Sequence, residues 1–341
     1  MSDSIVVRGS PFFLCRLPGA QREVRSRLRD GEAKKDIIET FNRLVRGEGD
    51  DFPLPQPLSF RRKDINRIFT KARFMAALKS DGQRASLLLM RLYSKPVVIM
   101  VERSMCIHEF EAAAREELFE GTVIDGEVVI EGNKTTFLAF DMPVVSGMNI
   151  MTDHTYTDRH AQLSKIVDES AFLFSPQSNI GLKVKNIVPA AACVSIWRSR
   201  TKLNHLNDGV IFTEDKGLGV FKWKCLPTVD VLLHRNSYIP YVKKNGELIR
   251  LQHLRLGGAS VSTPVIDVQQ NLLVDAFFTS QRGKGGVVVE CFVDITSNGI
   301  HLYTSRLRTD KTQPNHIHTA CEVANSVLEN VCLEEITTKI R

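Results

Sequence analysis

The sequence lacks the features that would place the chain in a membrane or outside the cell. Its 341 residues contain no apolar run of about 18 residues, and residues 1–10 show no signal-peptide pattern. The seven cysteines are scattered, odd in number and never spaced as Cys-x-x-Cys. These absences argue against a disulfide framework and a structural zinc site, so we expect an intracellular protein in a reducing compartment.

Other familiar patterns are also missing. The nine histidines do not pair at metal-ligand spacing, no Cys-x5-Arg phosphatase loop occurs, and no repeat or low-complexity segment is visible. What remains is an ordinary globular balance of 43% hydrophobic and 25% charged residues. The net charge of +6 is compatible with RNA or DNA as a partner, although many proteins without such partners share it.

The length and the apolar pattern predict an α+β chain with more than one domain. Apolar runs between turn residues predict antiparallel sheets with helices packed outside, in a first domain spanning residues 1–230. Short strands with glycine turns over 231–318 predict a small β-barrel such as an OB-fold. Residues 319–341 are predicted to form a C-terminal helix, and the glutamate-rich residues 109–117 another.

The stretch Lys79-Ser80-Asp81-Gly82-Gln83-Arg84 suggests a covalent chemistry. A lysine amine can attack a phosphorus atom once it is neutral, although its ordinary pKa of about 10.4 keeps it mostly protonated. Burial or neighbouring cations would favour the neutral form. The alternative is a surface turn, because serine, aspartate and glycine are common turn residues.

Three acidic or aromatic motifs follow, each with a simpler alternative. Asp125-Gly126-Glu127, at a predicted strand end, offers carboxylates for a ribose or for a hard cation such as Mg²⁺, or else forms a β-turn. Phe140, also at a predicted strand end, could stack on a purine or simply fill the core. Asp208 offers another carboxylate immediately before an apolar strand.

The last two motifs carry positive charge. Lys222 and Lys224 lie on one face of a predicted strand, where they suit a triphosphate or merely face solvent. The segment 306–311 contains three cations and the carboxylate of Asp310. Such a charged run is a candidate binding motif, although most charged runs of this kind are solvated loops.

The order of these six motifs resembles that of the covalent nucleotidyltransferase superfamily, which comprises mRNA capping guanylyltransferases and polynucleotide ligases. The resemblance covers about residues 52–315. Within the superfamily the chain is most similar to capping guanylyltransferases, including compact viral ones, because Pro227-Thr228-Val229-Asp230 follows the lysine pair. Leu302 departs from the pattern, since capping enzymes commonly carry an aromatic residue there. The alternatives are an ATP-dependent DNA or RNA ligase and a non-catalytic nucleic-acid-binding module.

The resemblance implies a reaction and a role for each residue. Lys79 would form a lysyl-N-GMP intermediate from GTP and pass the GMP to a 5′-diphosphate RNA end, giving the GpppN cap, with Mg²⁺ or Mn²⁺ as cofactor. Separate polypeptides would supply the RNA triphosphatase and the cap methyltransferase. Glu127 and Asp208 are implied to bind the metal. The residues implied to bind GTP are Arg84, Arg103, Glu127, Phe140, Lys185, Lys222, Lys224, Arg308, Asp310 and Lys311.

Overall fold

The computed structural model describes residues 4–7, 31–47, 52–175, 180–235, 237–256, 262–265, 268–269, 271–281, 285–308 and 311–338. Contacts between residues divide the chain into two compact units. The first comprises mainly Met1–Leu58 and Asn66–Lys222, and the second mainly Ser59–Ile65 and Trp223–Lys339.

The first unit contains three sheets, apart from the last residues of two strands, which belong to the second unit. Its strands are β1 (Ser4–Val7), β2 (Leu58–Ser59), β3 (Phe74–Ser80), β4 (Gln83–Leu92), β5 (Lys95–Glu102), β6 (Ile107–Phe110), β7 (Ala112–Arg115), β8 (Thr122–Glu131), β9 (Lys134–Val145), β10 (Met148–Asn149), β11 (Phe172–Phe174), β12 (Ile180–Val184), β13 (Val188–Pro189), β14 (Asn207–Glu214) and β15 (Val220–Lys224). The strand orders are β1-β7-β11, β10-β9-β8-β4-β5-β6 and β13-β3-β14-β15-β2. β12 joins the second of these sheets by pairing parallel to β9.

Helices and short turns of helix accompany these sheets. They are α1 (Gly31–Val45), α2 (Tyr156–Asp168) and α3 (Cys193–Arg198), the 3₁₀ segments Glu116–Glu120, Ala190–Ala192 and Ser199–Lys202, and the π segment Arg67–Lys71.

The seven-stranded sheet, which contains β4, β8 and β9, is buried on both faces. This explains the continuous apolar runs of its strands. Successive residues of a strand point to opposite sides, so Leu87 and Leu89 of β4 pack with Phe137 in one apolar cluster. Leu88 and Met90 pack in a second cluster, together with the apolar face of α1. The sheet therefore forms a rigid support for side chains at its ends and bulges.

The second unit has its own sheet and core. Its strands are β16 (Thr228–His234), β17 (Tyr241–Lys244), β18 (Glu247–Arg250), β19 (His253–Arg255), β20 (Ser262–Pro264), β21 (Gly286–Thr296) and β22 (Gly299–Leu307). Its helices are α4 (Leu272–Ser280), α5 (Ile317–Glu329) and α6 (Leu333–Thr338), with a 3₁₀ turn at Arg62–Asp64. The sheet has the order β18-β17-β16-β21-β22, and β19 pairs with β20. Ala320 and Val323 of α5 pack on its inner face against Val231 and Val289.

The predicted α+β class is confirmed, while closure of the second sheet into an OB barrel stays a prediction. A hairpin forms at β17 and β18, where Asn245 and Gly246 both adopt the positive φ that a tight hairpin turn needs. Among the described residues, no helix is long and apolar enough to cross a membrane.

One helix prediction was wrong, and the predicted C-terminal helical segment is divided into two helices. Residues 109–117 form the end of β6, β7 and the start of a 3₁₀ turn, because Phe110, Ala112 and Ala114 alternate into the core with the period of a strand. The C-terminal helix is interrupted, because Asn330 adopts a left-handed conformation that ends α5 at Glu329.

Candidate active site

The segment from Lys79 to Arg84 connects β3 to β4, with Asp81 and Gly82 between the two strands. A Cβ atom on Gly82 would lie 2.7 Å from the carbonyl oxygen of Val128 in β8. Only glycine allows the backbone to approach another strand this closely. The glycine therefore fixes the turn that places Lys79 and Arg84 on adjoining strand ends of two sheets.

Lys79 contacts Asp208 on the neighbouring strand. β14 pairs with β3 so that Gly209 lies opposite Lys79 and Asn207 opposite Ser80, which makes Asp208 the extra residue of a β-bulge. The lysine Nζ lies 2.7 Å from Asp208 Oδ1, and both side chains are partly exposed. The bulge therefore directs the carboxylate towards the amine.

A histidine contacts Ser80, the residue that follows Lys79. The His205 Nε2 atom lies 3.2 Å from Ser80 Oγ, and its Nδ1 atom lies 3.2 Å from Glu131 Oε1. Burial alone would raise the pKa of Glu131, but hydrogen bonds from Lys183, Thr136 and His205 lower it. An ionised Glu131 thus orients the ring that holds the residue after the lysine.

Arg84 is held by a two-point ion pair with Asp125. Its Nη2 and Nε atoms lie 2.6 and 3.3 Å from the two carboxylate oxygens, and its Nη1 donates to the Pro55 carbonyl at 2.7 Å. The guanidinium carbon lies 5.7 Å from the centre of the Phe140 ring and 5.3 Å from that of Phe52. Burial raises the pKa of the Asp125 carboxyl, and the positive charge of Arg84 opposes this rise.

Glu127 forms an ion pair with Lys185, the residue that follows β12. The Lys185 Nζ atom lies 5.6 Å from the centre of the Phe140 ring. Only 10% of the lysine side chain and 12% of the glutamate side chain are exposed. The His160 Nε2 atom lies 2.7 Å from the Lys185 carbonyl oxygen, and burial lowers the pKa of His160, so a neutral ring donates this hydrogen bond.

Phe140 lies at a second β-bulge. In the register between β8 and β9 it is the extra residue between Ala139 and Asp141. Asp141 accepts hydrogen bonds of 2.8 and 2.9 Å from the guanidinium of Arg159, which is 3% exposed. No local motif marks Arg159 in the sequence, because it lies on α2, 18 positions from its partner Asp141.

The prediction that Asp125-Gly126-Glu127 and Phe140 end their strands was wrong, because both lie inside long strands. A Cβ atom on Gly126 would lie 2.4 Å from Phe137 Cζ. Glycine therefore makes room for a core ring on one face of β8. Asp125 and Glu127 project from the other face, where they meet Arg84 and Lys185.

Two further predicted residues lie in this unit. Arg103 lies in the turn after β5, with an exposed side chain, and its backbone N–H donates to the Arg84 carbonyl at 3.3 Å. Lys222 is half-buried on β15.

The remaining predicted cations belong to the second unit. Lys224 Nζ lies 3.1 Å from Thr228 Oγ1 and 3.7 Å from Glu290 Oε1. Arg308 and Lys311 both contact the buried carboxylate of Asp230, with Arg308 Nη1 at 3.2 Å. Asp310 lies outside the described residues.

The two predicted metal ligands, Glu127 and Asp208, each contact a lysine. In the part of the chain that the structure describes, no group of three or more His, Cys, Asp or Glu side chains is placed to hold a metal ion. These carboxylates therefore do not form a metal site by themselves.

Two family models match the chain. The model described as mRNA capping enzyme, catalytic domain, matches residues 20–225. The model described as mRNA capping enzyme, C-terminal domain, matches residues 257–337.

Three yeast proteins named mRNA-capping enzyme subunit alpha are similar over most of their length. The Kluyveromyces lactis protein is 24% identical, over 90% of this chain and 81% of the relative. The Candida glabrata protein is 28% identical, over 85% and 80%. The Saccharomyces cerevisiae protein is 24% identical, over 84% and 77%. A solved structure titled Pmar-Lig_Pre. aligns with 81% of this chain and 72% of its own, at 14% identity and a TM-score of 0.37, which is too low to support an argument.

Proposed function

The chain belongs to the mRNA capping enzyme family, and we propose that Lys79 carries the GMP that this guanylyltransferase moves from GTP to RNA. The neutral amine of Lys79 attacks the α-phosphorus of GTP. A P–N bond forms, the bond to the bridging oxygen breaks, and pyrophosphate leaves. A terminal phosphate oxygen of a 5′-diphosphate RNA then attacks the same phosphorus. The P–N bond breaks, the amine is restored, and the GpppN cap is formed.

The contact between Lys79 and Asp208 is the observation that carries this proposal. A nucleophilic lysine needs a way to lose its proton, and a carboxylate within hydrogen-bond reach can accept it. The glycine turn and the β-bulge hold the two groups together. A surface turn of no chemical purpose would not require either constraint.

The surroundings of Phe140 suit a nucleoside. Arg84 and Lys185 both lie at cation–π distance from its ring. A guanine stacked on the ring would therefore lie close to both cations. Lys185 is proposed to read the edge of the base, after exchanging its contact with Glu127 for one with the ligand. Arg84, Arg103 and Glu127 are proposed to position the ribose.

The phosphates are proposed to bind the cations of the later motifs. These are Lys222, Lys224, Arg308 and Lys311, with Asp310 as an acidic member of the same motif. Two lysines lie on β15, and Arg308 and Lys311 lie beside Asp230. Their positive charge supports this assignment, because charged hydrogen bonds to phosphate are strong.

We propose that a divalent metal ion binds together with the nucleotide. Mg²⁺ usually takes one or two carboxylates together with substrate phosphates and water, which suits Asp208 and Glu127 better than a resident metal site. Bound there, Mg²⁺ or Mn²⁺ would neutralise phosphate charge.

RNA and GTP are the substrates of this family's reaction, and the further partners are proposals. We propose that separate proteins remove the γ-phosphate of the transcript and methylate the cap, inside the cell. A viral origin also stays a prediction, carried by the resemblance alone.

The test is transfer of label to the protein from GTP labelled at its α-phosphate. Wild-type protein should form an acid-labile, alkali-stable adduct with GTP, and Lys79→Ala should form none. Lys95→Ala removes an exposed lysine at the start of β5, away from these contacts, and it should label like wild type. Labelling by ATP instead of GTP would favour a polynucleotide ligase, and no labelling by either nucleotide would favour a non-catalytic binding module.

A further inference from the structure

One face of the sheet in the second unit carries exposed aromatic rings. Val231 of β16 and Val289 and Cys291 of β21 point into the core, so the residues that alternate with them point away from it. On this outer face Phe292 lies directly opposite Tyr303 of β22. The two residues are 36% and 42% exposed.

His301 extends this surface. Its ring stacks on Tyr303 with centroids 6.5 Å apart and an interplanar angle of 26°. His301 and Tyr303 share a face because they are two positions apart on one strand. Phe292, Tyr303 and His301 are called the aromatic platform below. Rings presented side by side on a sheet are typical of surfaces that stack single-stranded bases.

Positive charge lies beside the platform on the same face. Glu290, two positions before Phe292, contacts Arg306 and Lys224 and accepts a 2.6 Å hydrogen bond from Thr228. Burial alone would raise the pKa of Glu290, but the Thr228 hydrogen bond and the nearby cations lower it. The ionised carboxylate therefore holds two cations in place while they remain partly exposed.

The positive surface continues past Glu290. Asp230 lies opposite Glu290 in the sheet and contacts Arg308 and Lys311. Four cations therefore lie around the carboxylates of Glu290 and Asp230, and the Arg306 side chain among them is 45% exposed. This part of the face is complementary to a polyanion.

We propose that the single-stranded 5′ segment of the acceptor RNA binds along this face, with its bases on the aromatic platform and its phosphates beside Arg306. The inference rests on the proposed function, which makes RNA the acceptor. Stacking tolerates any sequence, because every base has a π face. Asp294, opposite His301, lies at the end of the platform away from the cations, so the phosphates of the strand are expected at the other end. The cation cluster favours RNA over an apolar protein segment as the occupant.

The test combines a double variant with the two separate half-reactions. Phe292→Ala with Tyr303→Ala should raise the Kd for a short single-stranded 5′-diphosphate RNA, measured by fluorescence anisotropy, by about tenfold or more. The KM for RNA in GMP transfer from pre-formed enzyme–GMP should rise in parallel. The rate of enzyme–GMP formation from GTP should stay at the wild-type value. Tyr303→Phe keeps the ring and should bind RNA normally. Leu272→Ala removes an 84% exposed apolar side chain of the same unit and should also bind RNA normally.

An abasic oligonucleotide separates stacking from charge. Wild type and the double variant should bind it equally, because no base is left to stack. A difference that persists with abasic RNA would overturn the proposal, as would unchanged affinity of the double variant for normal RNA. Equal slowing of both half-reactions would show that the rings support the fold or bind GTP. Failure of the proposed function would be recognised separately, since wild-type protein would then take no label from GTP whatever its affinity for RNA.

Discussion

Lys79 and Asp208 meet across two paired strands, with the lysine Nζ 2.7 Å from the aspartate Oδ1. An ammonium group has no free electron pair, so the lysine must lose a proton before it attacks phosphorus. Asp208 can accept that proton or pass it to solvent, since about a third of its side chain is exposed. The contact makes Asp208 a candidate participant in the first half-reaction, beside its proposed part in metal binding.

Asp208→Asn should slow enzyme–GMP formation by about 10²-fold, in the range of a lost general base. The melting temperature should change little, because partly exposed ion pairs contribute little stability. Rapid-quench labelling with GTP measures the rate. Asp153→Asn, at an exposed position in the same unit, is the matched control. A wild-type rate in Asp208→Asn would show that the proton leaves by another route.

The sequence indicated which residues would lie near one another better than it indicated their geometry. The order of the motifs pointed to Lys79, Asp208 and Phe140, because residue types and spacing are visible in the sequence. It could not show that Asp208 and Phe140 are both bulge residues, since a bulge is defined by the register of a partner strand.

The motifs also did not predict contacts between residues that are far apart in the sequence. Arg159 holds Asp141, and Asp230 holds Arg308 and Lys311, yet each pairing joins separate elements. Only the folded backbone brings such charges together. The helix predicted over 109–117 was wrong for the same reason, because packing of Phe110 and its neighbours in the core outweighs local helix propensity.

Gly126→Ala should lower the free energy of unfolding by about 3 kcal/mol, at the upper end of the usual cost of overpacking. The added Cβ would lie 2.4 Å from Phe137 Cζ and 2.7 Å from the Leu138 carbonyl oxygen, and Phe137 is fully buried. Chemical denaturation measures the loss. Gly181→Ala is the control, because a Cβ at that strand position meets its neighbours at 3.5 Å or more. Equal stability of the two variants would mean that the Phe137 ring can move aside.

Glu329→Gln should make the protein less stable at neutral pH but not in acid. Glu329 accepts hydrogen bonds from the Arg61 side chain and the Arg62 backbone, both at 2.6 Å. Burial alone would raise the pKa of Glu329, but these bonds lower it. Because the folded pKa lies below the unfolded value of about 4.3, the stabilisation is present above that pH and is lost as the pH falls through the folded pKa.

The free energy of unfolding of wild type should therefore exceed that of Glu329→Gln by about 1–2 kcal/mol at pH 7, as expected for a hydrogen bond to a charged group. The difference should shrink below about pH 4. Urea titrations across this pH range would measure it. A constant difference at all pH values would assign the loss to packing instead of charge.

Arg308→Ala and Lys311→Ala should separate the two half-reactions. In the structure both cations contact the carboxylate of Asp230. If they bind the β- and γ-phosphates of GTP, they orient pyrophosphate as the leaving group and neutralise its developing charge. Loss of either cation should then slow enzyme–GMP formation by about 10²–10³-fold. Once GMP is on Lys79, those phosphates are gone, so transfer to 5′-diphosphate RNA should slow far less. Purified enzyme–GMP allows the second step to be timed alone, and Lys244→Ala removes an exposed lysine of the same unit as control. Equal losses in both steps would mean that Arg308 and Lys311 bind RNA or hold the sheet together, and the leaving-group role would have to be abandoned.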